Sequence, residues 1–186
     1  MRRMRAHTLP EMLATLLVLA VLLGWALPAA ADLLARTRAN GAMMQLRALL
    51  HLARSSAITL RRDVTVCGSP DGRRCSAEWT DMPAMVFVDL DQDRTLDSDE
   101  SLLGQSSTSR AARIRWRASG NRAYLRYKPD GGVKEYGHFL YCPEGGDLRF
   151  ARQLIINATG RPRHGLDSNG DGITDDPNVV APECPP

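Results

Sequence analysis

A chain of 186 residues has room for one compact domain beyond an N-terminal segment, and a second independent domain does not fit. Formal charge is +3, from 24 basic and 21 acidic residues; Arg2, Arg3 and Arg5 supply that excess, so the rest is balanced and bulk charge points to no partner. Its distribution is uneven. Arg110 to Arg163 holds twelve Arg or Lys against four acids, whereas Asp89 to Glu100 holds six acids and one Arg.

Met12 to Ala31 carries no formal charge and is dominated by Leu, Ala and Val. At about 1.5 Å per helical residue it spans roughly 30 Å, enough to cross a bilayer. The preceding arginines set the N-terminus in the cytoplasm and the bulk of the chain outside. A secretory signal would have a shorter apolar core before a small-residue cleavage site, which Leu27 to Ala31 could imitate. Glu11 argues otherwise, since an ionised carboxylate at the start of an apolar run is costly unless something such as a free amine neutralises it.

Beyond Pro28, which bends a helix, and Gly41, a candidate second bend, Leu46, Leu49, Leu50, Ala53, Ala57 and Leu60 recur at three- and four-residue spacing. One face of a continuing helix should therefore pack on the downstream domain. After Arg62 the pattern changes to short β-like runs: Val64–Cys67, Met85–Leu90, Arg113–Ala118, Arg122–Tyr127, His138–Tyr141 and Gln153–Ile156. Turn chemistry separates them at Ser69–Gly72, Ser119–Asn121, Pro129–Gly132 and Glu144–Gly146. Ser119–Asn121 reads as a tight hairpin turn. The fold class is α+β, a long helix on an antiparallel β domain.

Four cysteines, Cys67, Cys75, Cys142 and Cys184, make an even set that in an exported chain reads as two disulfides. Three pairings are possible. The favoured one joins Cys67 to Cys75 across a hairpin and Cys142 to Cys184 to tie down the tail.

Ala6-His7-Thr8-Leu9-Pro10-Glu11-Met12-Leu13 resembles the processing motif of type IV pilins and pseudopilins. The resemblance implies cleavage between Ala6 and His7 by a prepilin peptidase, methylation of the new N-terminal His7, and an assembly role for Glu11 as fifth mature residue. Ala6 stands where the family usually has Gly, and His7 where it has Phe or Met. His51 to Ala57, Val64 to Cys67, Trp79 and Val86 to Asp89 further resemble minor pilins of the GspH/FimT group. The implied organisation is a cytoplasmic leader (1–6), a transmembrane and assembly helix (7–31), an amphipathic continuation (32–61), and a β domain ending in an acidic tail (62–186). The implied localisation is a single pass of the inner membrane with the domain periplasmic, then extracellular in a pilus among other pilin subunits.

Gly160-Arg161-Pro162-Arg163 is similar to the Gly-Arg-x-Arg motif of FimT-type pilins that bind DNA for natural transformation. The arginine fork suits phosphate oxygens, so Gly160, Arg161 and Arg163 are candidates for contacts with double-stranded DNA that are sequence-independent and salt-sensitive. Arg113, Arg115 and Arg117 alternate along one strand, with Arg122 and Arg126 on the expected hairpin partner; they could extend the track, but a plain solvent face is the favoured reading of these five. In the competing reading Arg161 and Arg163 are solvated or pair with the acidic tail around Asp167 to Asp176, leaving a structural minor pilin or type II secretion pseudopilin that primes filament assembly without DNA.

Two acidic stretches have the spacing of oxygen ligands in Ca²⁺ loops. Asp89, Asp91, Asp93, Thr95, Asp97 and Glu100 fit the positions, with Arg94 where Gly is expected. Asp167, Asn169, Asp171 and Asp175 form the better match, because Gly172 stands at the turn. No cofactor is required by this reading. His7, His51, His138 and His164 sit in unrelated contexts and no nucleophile has a recognisable base, so an enzyme is not expected.

Overall fold

The computed structural model describes residues 9–76, 79, 82–106, 113–174 and 183–184. Ala6, His7 and Asp175 lie outside these. One α-helix, α1, runs Leu9–Leu60 with Pro28 inside it. The chain divides into two compact units, one up to Thr37 and one from Arg38 onward. In the first, the helix is long and apolar enough to cross a membrane. Its large side chains, from Leu9 to Leu34, are exposed, with Trp25 81% accessible. Glu11 lies in the first turn of this helix.

The second unit has eight strands: β1 (Val64–Gly68), β2 (Ala84–Val88), β3 (Leu102–Gln105), β4 (Arg113–Ala118), β5 (Tyr124–Tyr127), β6 (Gly137–Cys142), β7 (Arg152–Ile156) and β8 (Pro162–His164). They form two antiparallel sheets, in the orders β3-β2-β1-β5 and β4-β6-β7-β8. The main core cluster among the described residues draws on α1 and both sheets, and two smaller clusters, one with Met85 and Phe87 and one with Leu140 and Cys142, lie apart from it. The helix contributes Ala39, Met43, Leu46, Leu50, Ala53 and Ala57; the first sheet Val64, Val66, Val86, Leu125 and Tyr127; the second Trp116, Phe139, Tyr141, Leu154 and Ile156. Trp79 meets Phe139 edge-on and Trp116 packs on it at a tilt, with ring centroids 4.9 and 4.4 Å away.

The helical stripe is the one expected from spacing, shifted towards the N-terminus: Ala39 and Met43 join it, while Leu60 is 48% exposed. The two disulfides are Cys67–Cys75 and Cys142–Cys184, the favoured pairing. The first closes the loop after β1, where the Ser76 N–H returns to the Gly68 carbonyl at 2.8 Å.

The expected hairpin at Ser119–Asn121 does not form a strand pair. β4 pairs with β6 and β5 with β1, so this turn carries the chain from one sheet to the other. The turn is tight, with Asn121 at φ 53°, but Trp116 points into the core and its Nε1 donates to the Tyr124 carbonyl at 3.2 Å. That side chain takes the place of a ladder bond between the two strands. The short strands β3 and β8 were not expected from the sequence, because four and three residues are too few to show a period.

Leu50 is fully buried, so Leu50→Ala should cost about 2–5 kcal/mol. Leu60→Ala, at an exposed position, should change stability by less than about 0.5 kcal/mol. Urea unfolding of the unit beginning at Arg38 measures both.

Candidate nucleic-acid interface

β7 ends at Ile156, and residues 157–160 turn the chain into β8. The Gly160 N–H donates to the Asn157 carbonyl at 2.9 Å, and Thr159 Oγ1 lies 2.6 Å from Asn157 Oδ1. Gly160 has φ +72°, and a Cβ there would strike the Gly131 carbonyl oxygen and come within 3.0 Å of the Tyr127 ring. Only glycine serves at this point. The neighbouring turn, Lys128 to Gly132, is tied to it by the Val133 N–H, which donates to the Ala158 carbonyl at 3.1 Å. Gly131, at φ +75°, faces Ile58 and Arg54 of α1, and Arg54 Nε donates to its carbonyl at 2.9 Å.

Helix, Lys128 turn and Gly160 turn thus brace one another. Between them lies a recess of about 480 Å³ lined by Arg54, Lys128, Asp130, Gly132, Ala158, Thr159 and Arg161. Lys128 Nζ is 3.1 Å from Asp130 Oδ2. Arg161 is exposed, and buried Pro162 begins β8 behind it.

Arg163 does not line this recess. It is in register with Ile155, Ile155 with His138, and His138 with Arg117, so these four form a row across the second sheet. Directly opposite residues share a face. Arg113 and Arg115 lie on that face too, opposite Cys142 and Leu140. Sequence reasoning was right that Arg113, Arg115 and Arg117 share a face, but their neighbours are β6 residues and not Arg122 or Arg126.

Arg126 is 5% exposed in β5 and belongs to the first sheet. Its Nη2 lies 3.6 Å from Oδ2 of buried Asp89, which also accepts from Thr65 Oγ1 at 2.6 Å. Arg126 Nη1 donates to Gln92 Oε1 at 2.9 Å, and its backbone N–H to Glu135 Oε2 at 3.2 Å. The expectation that Arg126 extends a surface track is thereby corrected: it is a buried counter-charge.

The two acidic loops have the same backbone pattern. In the first, Asp89 accepts from the Arg94 N–H at 3.5 Å, Asp91 from Asp93 at 3.1 Å and Asp93 from Thr95 at 2.6 Å. In the second, Asp167 accepts from Gly172 at 2.8 Å, Asn169 from Asp171 at 2.9 Å and Asp171 from Ile173 at 2.8 Å. Gln92 and Arg94 take φ of 66° and 68°, matching Gly170 and Gly172 at 80° and 84°, so Arg94 makes the turn although it is not glycine. Oxygens of Asp89, Asp91 and Asp93 lie within 4.8 Å of one another, a grouping suited to a hard cation. For Asp89, Arg126 already supplies positive charge.

Burial, helped by Arg117, holds the His138 imidazole below its ordinary pKa. His164 is lowered in the same way by burial and Arg47. Sequence reasoning missed Arg54 and Lys128 as neighbours of Arg161. The only signal was the Gly131-Gly132 pair, read as a turn without anything to say what it touched.

A long helix packed on antiparallel sheets is the type IV pilin fold. A family model described as type II transport protein GspH matches residues 42–160. The chain belongs to this family, whose members, with the fold, are structural pilins. Among solved structures it is similar to the type IV minor pilin FimU of Pseudomonas aeruginosa PAO1. In one crystal form the TM-score is 0.53 at 22% identity, covering 72% of this chain and 92% of that one; in another it is 0.51 at 19%, covering 70% and 94%. It is also similar to the minor pseudopilin EpsH of the Vibrio cholerae type 2 secretion system, with TM-score 0.50 at 14% identity, covering 70% and 98%. No curated protein matches. Arg161 and Arg163 lie just past the end of the family match.

Removing one partner of a buried pair leaves the other charge uncompensated. Arg126→Gln should therefore destabilise the domain by about 3 kcal/mol or more, and adding Asp89→Asn should restore part of the loss, as read by urea midpoints. His138 gives a pH dependence. Its folded pKa lies below the unfolded value of 6.5, so between the two the unfolded chain binds a proton that the folded chain does not, and stability falls as pH drops below that value. The urea midpoint should be lower at about pH 5.5 than at about pH 7.5, with a smaller difference in His138→Gln.

Proposed function

We propose that this chain is a minor type IV pilin that assembles through its N-terminal helix and binds double-stranded DNA, without sequence preference, for uptake in natural transformation. What carries the reading is the Gly160 turn. It holds Arg161 exposed on a backbone that only glycine fits, beside further cations, in a member of a pilin family. A guanidinium so displayed reaches phosphate oxygens without entering a groove, which gives affinity without base readout. Cleavage after Ala6, methylation of His7 and pairing of Glu11 with a neighbouring subunit's N-terminus are the assembly steps of this proposal. It places the chain in the inner membrane first and in the pilus afterwards. The reading requires no cofactor, and Ca²⁺ enters it only as a proposed occupant of the Asp167–Asp171 loop.

The second reading is a subunit of a secretion pseudopilus that touches only other pilins. The description of the chain's family, type II transport protein GspH, supports it. DNA binding by the full chain in an uncharged detergent separates the two. Under the first reading, duplex DNA binds at low salt, and Arg161→Ala with Arg163→Ala weakens binding roughly tenfold and lowers the salt slope by about 2. Absence of binding at low salt, or binding indifferent to the double substitution, favours the second.

A further inference from the structure

We infer that the recess between α1, the Lys128 turn and the Gly160 turn seats a backbone phosphate of the bound nucleic acid, with Arg54, Lys128 and Arg161 as its ligands and Asp130 as the acid the phosphate displaces. The inference rests on the DNA reading above and names the residues that do the work. Three cations from distant parts of the chain line one concavity with a single carboxylate, Asp130. Three positive charges against one negative leave a net of +2 facing one opening, which concentrates a field that favours anions.

The seat is built before any ligand arrives. Arg54 is anchored through Nε to the Gly131 carbonyl, and among the described residues this is its only hydrogen bond, so its terminal nitrogens are available. Gly160 packs on that same carbonyl, which fixes Arg161 relative to Arg54. Arg161 makes no hydrogen bond or ion pair to a described residue. The anchoring of Arg54 reduces what binding costs in side-chain ordering at that residue.

Lys128 is the movable ligand. Its bond to Asp130 is a surface pair, with side chains 44% and 67% exposed, and pairs of this kind are weak and screened by salt. Asp130 has a second task, accepting the Gly132 N–H through Oδ1 at 2.8 Å. That bond and Lys128 hold its carboxyl below the ordinary range, so it remains an anion in competition with the phosphate. An asparagine could keep the Gly132 bond through its amide oxygen while releasing Lys128. The recess at about 480 Å³ is larger than a lone phosphate group requires, which suits a stretch of sugar-phosphate backbone passing through it. The arginines of β4 are not part of this seat.

The test is equilibrium binding of a fluorescent duplex to the full chain in uncharged detergent across a salt series, using Arg161→Ala, Lys128→Ala, Asp130→Asn, Asp147→Asn and Arg115→Ala. Asp147 lies outside the recess and controls for bulk charge, its partner being Arg149 at 2.7 Å. Lys128→Ala should weaken binding about three- to tenfold and lower the salt slope by about 1. Asp130→Asn should tighten it about threefold, a gain that damage to the turn would not produce. Asp147→Asn and Arg115→Ala should change little. If Arg161→Ala weakens binding while Lys128→Ala and Asp130→Asn do not alter it, or if Asp147→Asn tightens it as much as Asp130→Asn, the recess is not the seat although the DNA reading stands. If the parent chain binds no duplex at low salt, the DNA reading itself fails.

Discussion

Two four-stranded sheets that share no ladder hydrogen bonds among the described residues are held in one domain by the apolar stripe of α1. Ala39, Met43, Leu46, Leu50, Ala53 and Ala57 turn one face of the helix towards the inner faces of both sheets, and five of the six are wholly buried. The alanines let the backbone approach closely, while Met43, Leu46 and Leu50 fill the space between the sheets. Burial of apolar area is the driving force, at about 25 cal/mol for each Å² removed from water.

The same packing sets the candidate interface. Arg54 follows Ala53 in the helix, so whatever fixes the stripe also fixes the arginine at the Gly131 carbonyl. From there the constraint passes to Gly160, whose lack of a side chain allows two turns to meet at that carbonyl. The position of Arg161 is therefore set by the core and not by the flexibility of a surface loop. Arg163, only two residues on, is governed by the ladder of β8 and joins the row with Arg117.

Features recorded by local periodicity or composition could be read from the sequence. The helical stripe from Leu46 to Ala57 and the strand Arg113–Ala118 are of this kind, while composition gave the even set of cysteines and left three pairings open, of which the favoured one formed. Partnerships between strands could not be read in the same way. The turn at Ser119–Asn121 has hairpin chemistry, yet β5 beyond it joins β1 while β4 joins β6, and the link described between the two strands is the side-chain bond from Trp116 to the Tyr124 carbonyl. Arg126 looked like a surface cation because nothing local reveals that Asp89, far away in sequence, is buried beside it. The recess was invisible for the same reason, since residues 54, 128 and 161 meet only in three dimensions. Gly160 and Arg161 were visible as a motif.

The central claim is that nucleic-acid backbone lies against the Gly160 turn and the recess beside it. An NMR titration of the isotopically labelled domain with a short duplex tests it most directly. The account predicts shift changes concentrated at the amides of Gly132, Thr159, Gly160 and Arg161 and at the Arg54 side chain, with little at Arg113, Arg115 and Arg117. Changes confined to β4, or no changes at low salt, would contradict it.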